Sequence, residues 1–97
     1  MPLAARQVDG ALTTKGFKKI DNDHHFYFLY HNGKKTTVRT KISHGEREIS
    51  DTNCGNMARQ MQITTTQFKQ FVDCKIEGKE YVDILIKNGV LEKSPST

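Results

Sequence analysis

The sequence has no tryptophan, two prolines and two cysteines among 97 residues. Cys54 and Cys74 stand apart, without CxxC spacing or a multi-cysteine framework, so they read as reduced thiols rather than a disulfide or a zinc site. No apolar run approaches the ~20 residues that span a bilayer, which leaves no membrane partner to expect. The opening MPLAARQVDG lacks the apolar core of a secretory signal, and a cytoplasmic location is expected. Repeats and low-complexity tracts are missing too. What remains, 35% hydrophobic and 27% charged residues, suits one small domain with one modest core. The excess is positive: a net charge of +4 favours a polyanionic partner through phosphate attraction.

One stretch organises the chain. His24 to Gly45 holds all four histidines, His24, His25, His31 and His44. Within it, His24–His31 and Thr36–Ile42 are strand-like runs broken by Asn32-Gly33, whose residues accept the positive φ of a tight turn, so an antiparallel hairpin is expected. Strand alternation puts His25, Tyr27, Leu29 and Val38 on one face, and His24, Phe26, Phe28, Tyr30 and Arg39 on the other. Both faces carry large apolar groups, where a half-exposed sheet would show one polar face. The second face is therefore expected to lie under a later helix or under a partner chain, a second copy included.

Upstream, Ala5, Val8, Ala11 and Leu12 share a helical face within residues 4–15, and Gly16 is a fitting stop. Phe17–Ile20 reads as a first strand and Asp21-Asn22-Asp23 as a turn. Downstream, Lys41–Thr52 reads as a charged loop. A helix is expected from Asn53, with Met57, Ala58 and Met61 inward, and Ile63 closing it. Thr64-Thr65-Thr66 supplies capping hydroxyls for a helix burying Phe68, Phe71, Val72 and then Cys74 or Lys75. A last helix near Lys79–Lys87 would bury Tyr81, Val82, Leu85 and Ile86 before Asn88-Gly89. The fold class is α+β, α-β-β-β-α with one or two further C-terminal helices, the helices packed on a three-stranded antiparallel sheet. Residues 1–91 make one domain, its core about 4–63 and a helical extension over 64–91, followed by a tail at 92–97.

Several pieces, in this order, carry a family resemblance: Lys15-Gly16-Phe17, the turn before His24-His25-Phe26, the Asn-Gly-Lys-Lys hairpin turn, Thr37-Val38-Arg39, His44-Gly45-Glu46-Arg47-Glu48-Ile49, and Asn56-Met57-Ala58-Arg59-Gln60-Met61. Together, over about Leu12 to Ile63, the chain resembles the HicA family of toxin–antitoxin ribonucleases. Asn22-Asp23 stands where that family typically has Gly-Ser, and no proline intervenes between Arg39 and His44. The resemblance implies a fold like a double-stranded-RNA-binding domain, cleavage of mRNA without a metal or other cofactor, and silencing by a cognate antitoxin protein. By motif position, His24 matches the catalytic histidine.

The residue chemistry fits such a role. RNA cleavage needs a group to take the 2′-hydroxyl proton or protonate the leaving 5′-oxygen, and an imidazole with a pKa of about 6.5 holds both states near neutrality. His24 is the general acid/base candidate and His44, beside Gly45, the second. Lys34, Lys35, Arg39 and Lys41 are the RNA-binding candidates, able to stabilise phosphoryl oxygens; Lys15, Lys18 and Lys19 extend the basic half of the chain. His25 should pack or hydrogen-bond on the opposite face, and His31 should be solvated. Adjacent His24 and His25 point to opposite faces, which argues against shared metal ligation. Phe26, Phe28 and Tyr30 are either core or stacking partners for bases. A non-catalytic RNA-binding or protein-interaction domain of the same fold is the alternative.

Overall fold

The computed structural model describes residues 3–43 and 45–91. Along the chain these form β1 (Leu3–Ala4), α1 (Ala5–Thr14), β2 (Phe17–Asp21), β3 (His24–His31), β4 (Lys34–Ser43), β5 (Glu48–Ile49), α2 (Asp51–Gln60), α3 (Thr65–Val72) and α4 (Gly78–Lys87). The architecture is α+β. Strands β2, β3 and β4 form a three-stranded antiparallel sheet in chain order, and β1 pairs with β5 in a separate two-stranded ladder. His44 and the 92–97 tail lie outside the described residues.

Local chemistry explains most boundaries. Helix α1 buries Ala5, Val8, Ala11 and Leu12, one stripe at helical spacing. Gly16 follows at a φ of 108°, a conformation that costs glycine little, and its carbonyl accepts the Tyr30 amide at 3.0 Å. The β3–β4 turn has Asn32 at φ 54° and Gly33 at φ 77°, the pair of positive angles that matches the twist of a two-residue hairpin. Thr64 closes a capping box at the start of α3: its hydroxyl accepts from the Gln67 amide at 3.0 Å, and the Gln67 side chain accepts from the Thr64 amide at 3.0 Å.

Register fixes which face each strand residue takes. Tyr27 pairs with Thr40, Phe28 with Arg39 and Phe26 with Lys41, and Tyr27, Leu29, Val38, Thr40 and Ile42 are buried. The register shifts between Phe28 and Tyr30. There the Thr36 hydroxyl donates to the Leu29 carbonyl at 2.9 Å and accepts the Val38 amide at 3.1 Å, so a side chain replaces ladder bonds the irregularity removes.

All the helices feed one core with the inner sheet face. Phe17, Phe71 and Tyr81 meet at its centre, with ring centroids 5.1 to 6.3 Å apart. Tyr81 is fully buried and its hydroxyl donates to the Met61 carbonyl at 2.8 Å, satisfying a polar atom that would otherwise be costly there. Helices α3 and α4 thus complete the same core that α1 and the sheet begin.

Four sequence expectations need correction. The Lys41–Thr52 segment is not a loop throughout: β4 runs to Ser43, β5 buries Ile49 against Leu3, and α2 starts at Asp51 behind the Ser50 cap. A two-residue ladder leaves no periodicity to read. Helix α3 stops at Val72, and Cys74 lies beyond it, exposed and at φ 63°. Val82 and Ile86 are half-exposed, because α4 docks through the narrower stripe of Tyr81 and Leu85. Lys15, grouped by sequence with the basic surface, is buried. Its ammonium donates to the carbonyls of Phe71 and Ile76 and lies 4.8 Å from the Phe71 ring centre. A cation at the end of α3 meets the negative end of the helix dipole at the Phe71 carbonyl and ties down the Ile76 carbonyl in the segment that follows.

Candidate nucleic-acid interface

The helices cover one face of the sheet and leave the other bare among the described residues. Its positions follow from register: Lys18 and Ile20 on β2, His24, Phe26, Phe28 and Tyr30 on β3, and Lys35, Thr37, Arg39, Lys41 and Ser43 on β4. None of these belongs to the core or packs against it. Ile20 is 37% exposed, the one large apolar side chain among the described residues that is so open. Among the described residues none of these sheet positions is an aspartate or glutamate, and Glu46 lines a small cleft with Lys41 and Ser43 at the β4 edge.

A row of rings runs along the middle strand. His24 and Phe26 lie 6.0 Å apart, and Phe26 and Phe28 lie 6.3 Å apart with their planes only 23° from parallel. All four rings, Tyr30 included, are half-buried by one another and by neighbouring lysine stems. The Lys35 ammonium sits 3.9 Å from the Phe28 ring centre, and that of Lys18 sits 5.5 Å from Tyr30. Arg39 lies directly opposite Phe28 and Lys41 opposite Phe26. Cations therefore flank the rings on both neighbouring strands. At the β4 edge, Phe26, Arg39, Lys41 and Gln60 border a cleft of about 410 Å³.

The structure sorts the sequence candidates. His24, Lys35, Arg39 and Lys41 come together on the open face, with His24 opposite Ser43 and diagonal to Lys41, a separation of roughly 7–8 Å. Lys34 pairs with His31 at the hairpin tip and by alternation faces the other way. His44 follows Ser43 in the chain and lies outside the described residues. Lys18 joins the site, whereas Lys15 is buried and Lys19 pairs with Asp9 at 2.9 Å on the helix side. Sequence grouped Lys18 with the basic residues but gave neither Lys18 nor Ile20 a face, since that depends on the β2–β3 register.

The inner edge carries a separate polar group. Tyr27 donates its hydroxyl to Asp9 at 2.6 Å, and His25 Nδ1 meets the Asp21 carboxylate. Burial pulls the Asp9 carboxyl upward, but the Tyr27 hydroxyl and the Lys19 ammonium outweigh it, and the group lies below its ordinary 3.8. Burial, aided by Asp9, pushes the Tyr27 hydroxyl well above the usual tyrosine range, so it stays a donor. These contacts brace α1 against the sheet behind the open face.

Among the described residues no group of three or more His, Cys, Asp or Glu side chains gathers as a metal-ion site would, and no helix is long and apolar enough to cross a membrane. No family model, curated protein or solved structure matches this chain.

Proposed function

We propose that this protein is a HicA-like endoribonuclease that holds RNA on the open sheet face, with His24 as general acid/base and Lys18, Lys35, Arg39 and Lys41 on the phosphates. The observation that carries the reading is their co-location. A histidine, three aromatic rings and four cations share one face whose described sheet positions carry no carboxylate to repel a polyanion. The run α1-β2-β3-β4, with α2 following the short β5 and helices to one side of the sheet, supports this reading. A cytoplasmic mRNA target and a cognate antitoxin that covers this face complete the proposal.

In the proposed reaction His24 takes the 2′-hydroxyl proton as that oxygen attacks the adjacent phosphorus. The 5′-oxygen leaves and takes a proton from a second acid, and the products are a 2′,3′-cyclic phosphate and a 5′-hydroxyl. Lys41, diagonal to His24, is placed to offset charge on the phosphoryl oxygens. His44, adjacent to Ser43 in sequence, is the candidate second acid. No metal or other cofactor has a part in this scheme.

The test is RNA incubated with wild type and with His24→Ala. The substitution should leave the thermal melt unchanged, since His24 stands outside the core, and should slow cleavage by about 10²–10⁴-fold. Cleavage at the wild-type rate would remove His24 from the mechanism.

A second reading has its own observation. His24 is the sole imidazole on the open face among the described residues, and none of the described sheet positions of that face is a carboxylate that could orient the ring. That favours a non-catalytic RNA-binding domain, in which wild type binds RNA with a salt-dependent affinity and leaves it intact.

A further inference from the structure

We infer that the open face takes single-stranded RNA with its bases unstacked, one base to each ring of Phe26, Phe28 and Tyr30; this rests on the RNA-binding reading above and specifies its substrate. The spacing carries the inference. Along β3 the His24 and Phe26 rings stand 6.0 Å apart and the Phe26 and Phe28 rings 6.3 Å apart, nearly twice the ~3.4 Å per nucleotide of a stacked strand. A duplex cannot match that repeat, because its bases are already stacked on one another and turned inward. An extended single strand matches it by placing each base on its own ring.

The chemistry of the surface points the same way. Double-stranded RNA presents phosphates and 2′-hydroxyls and is held by polar contacts spread over its width. Three half-exposed rings and Ile20 along the centre of the face gain nothing against a phosphate row. They gain much against the faces of bases, which stack on aromatic side chains without regard to sequence. The cations stand where the backbone of such a strand would run. Lys18 lies on β2, and Lys35, Arg39 and Lys41 line β4, so phosphates can be met on either side of the ring row. Lys35 and Lys18, held over Phe28 and Tyr30, are long enough to move from ring to phosphate when a base takes the ring face. His24 ends the row, which puts the reacting phosphate at one end of a short, three-base footprint.

The test is fluorescence anisotropy at fixed salt with a labelled RNA carrying 2′-O-methyl riboses, which blocks attack by the 2′-oxygen, used single-stranded and then annealed to its complement. The single strand should bind at least about tenfold more tightly, the equivalent of one stacked base. Phe28→Ala should weaken single-strand binding about 5- to 150-fold, leave the melt unchanged and leave duplex binding unaffected, and Phe28→Trp should restore it. Equal affinity for the two forms, or Phe28→Ala binding like wild type, overturns the stacking proposal while leaving RNA binding in place. Failure of both forms to bind overturns the RNA reading as well, and leaves a protein partner as the occupant of this face.

Discussion

At the residue scale, position relative to the sheet decides what each ionisable side chain can do. His24 and His25 are neighbours in sequence with opposite fates: one ends the exposed ring row, the other meets Asp21 on the helix side. Alternation alone separates them, so that much was legible from sequence. Lys15 was not legible, because nothing in a Lys-Gly-Phe run announces two backbone carbonyls more than fifty residues away. Lys15→Met should therefore cost about 1–3 kcal/mol by urea denaturation, leaving both carbonyls without the ammonium. The Tyr27–Asp9 bond gives a pH-dependent prediction. Asp9 is lowered in the folded state, so its contribution is present above the ordinary carboxylate range and is lost as pH falls through the folded value. Tyr27→Phe should destabilise by about 1.5–3 kcal/mol near neutrality, and the gap from wild type should narrow in melts below about pH 4.

At the scale of elements, the hairpin follows directly from its own residues. Asn32-Gly33 sets the turn, and the alternating burial of Val38, Thr40 and Ile42 sets the face. Helix stripes in α1, α2 and α3 were readable for the same reason, each burying apolar residues at i, i+3 and i+4. What sequence could not supply were elements made by tertiary pairing, such as the β1–β5 ladder, and the docking of α4. That docking depends on close approach: a Cβ on Gly78 would stand 3.0 Å from the Lys15 carbonyl oxygen and 3.3 Å from its Cα. Those are backbone atoms already fixed by the α1 stop and by Lys15 itself, so they cannot yield cheaply. Gly78→Ala should lower stability by about 1–2 kcal/mol in a thermal or urea melt, although alanine is the better helix former.

At the scale of the whole molecule, the division of the sheet into two faces is the organising fact. Of the two covers expected for the second sheet face, a later helix is not found there among the described residues, and its rings remain open to a partner. The helices instead fill the common core. Phe68, Phe71, Val72, Tyr81 and Leu85 are all buried there, so the helical extension over 64–91 contributes to the common core. A chain ended after Ile63 should show no cooperative unfolding transition by circular dichroism, whereas the full chain should show one. The bare face, basic and with no carboxylate among its described sheet positions, is the surface on which the proposed RNA binding rests. Binding there should weaken steeply with salt, as cations released from RNA phosphates return. The most direct measurement is an NMR titration of the isotope-labelled protein with single-stranded RNA, following backbone and side-chain shifts. The account predicts changes concentrated at Lys18, His24, Phe26, Phe28, Tyr30, Lys35, Arg39 and Lys41, with α1, α3 and α4 unmoved. Changes centred on the helices, or none at all with RNA in excess, would contradict it.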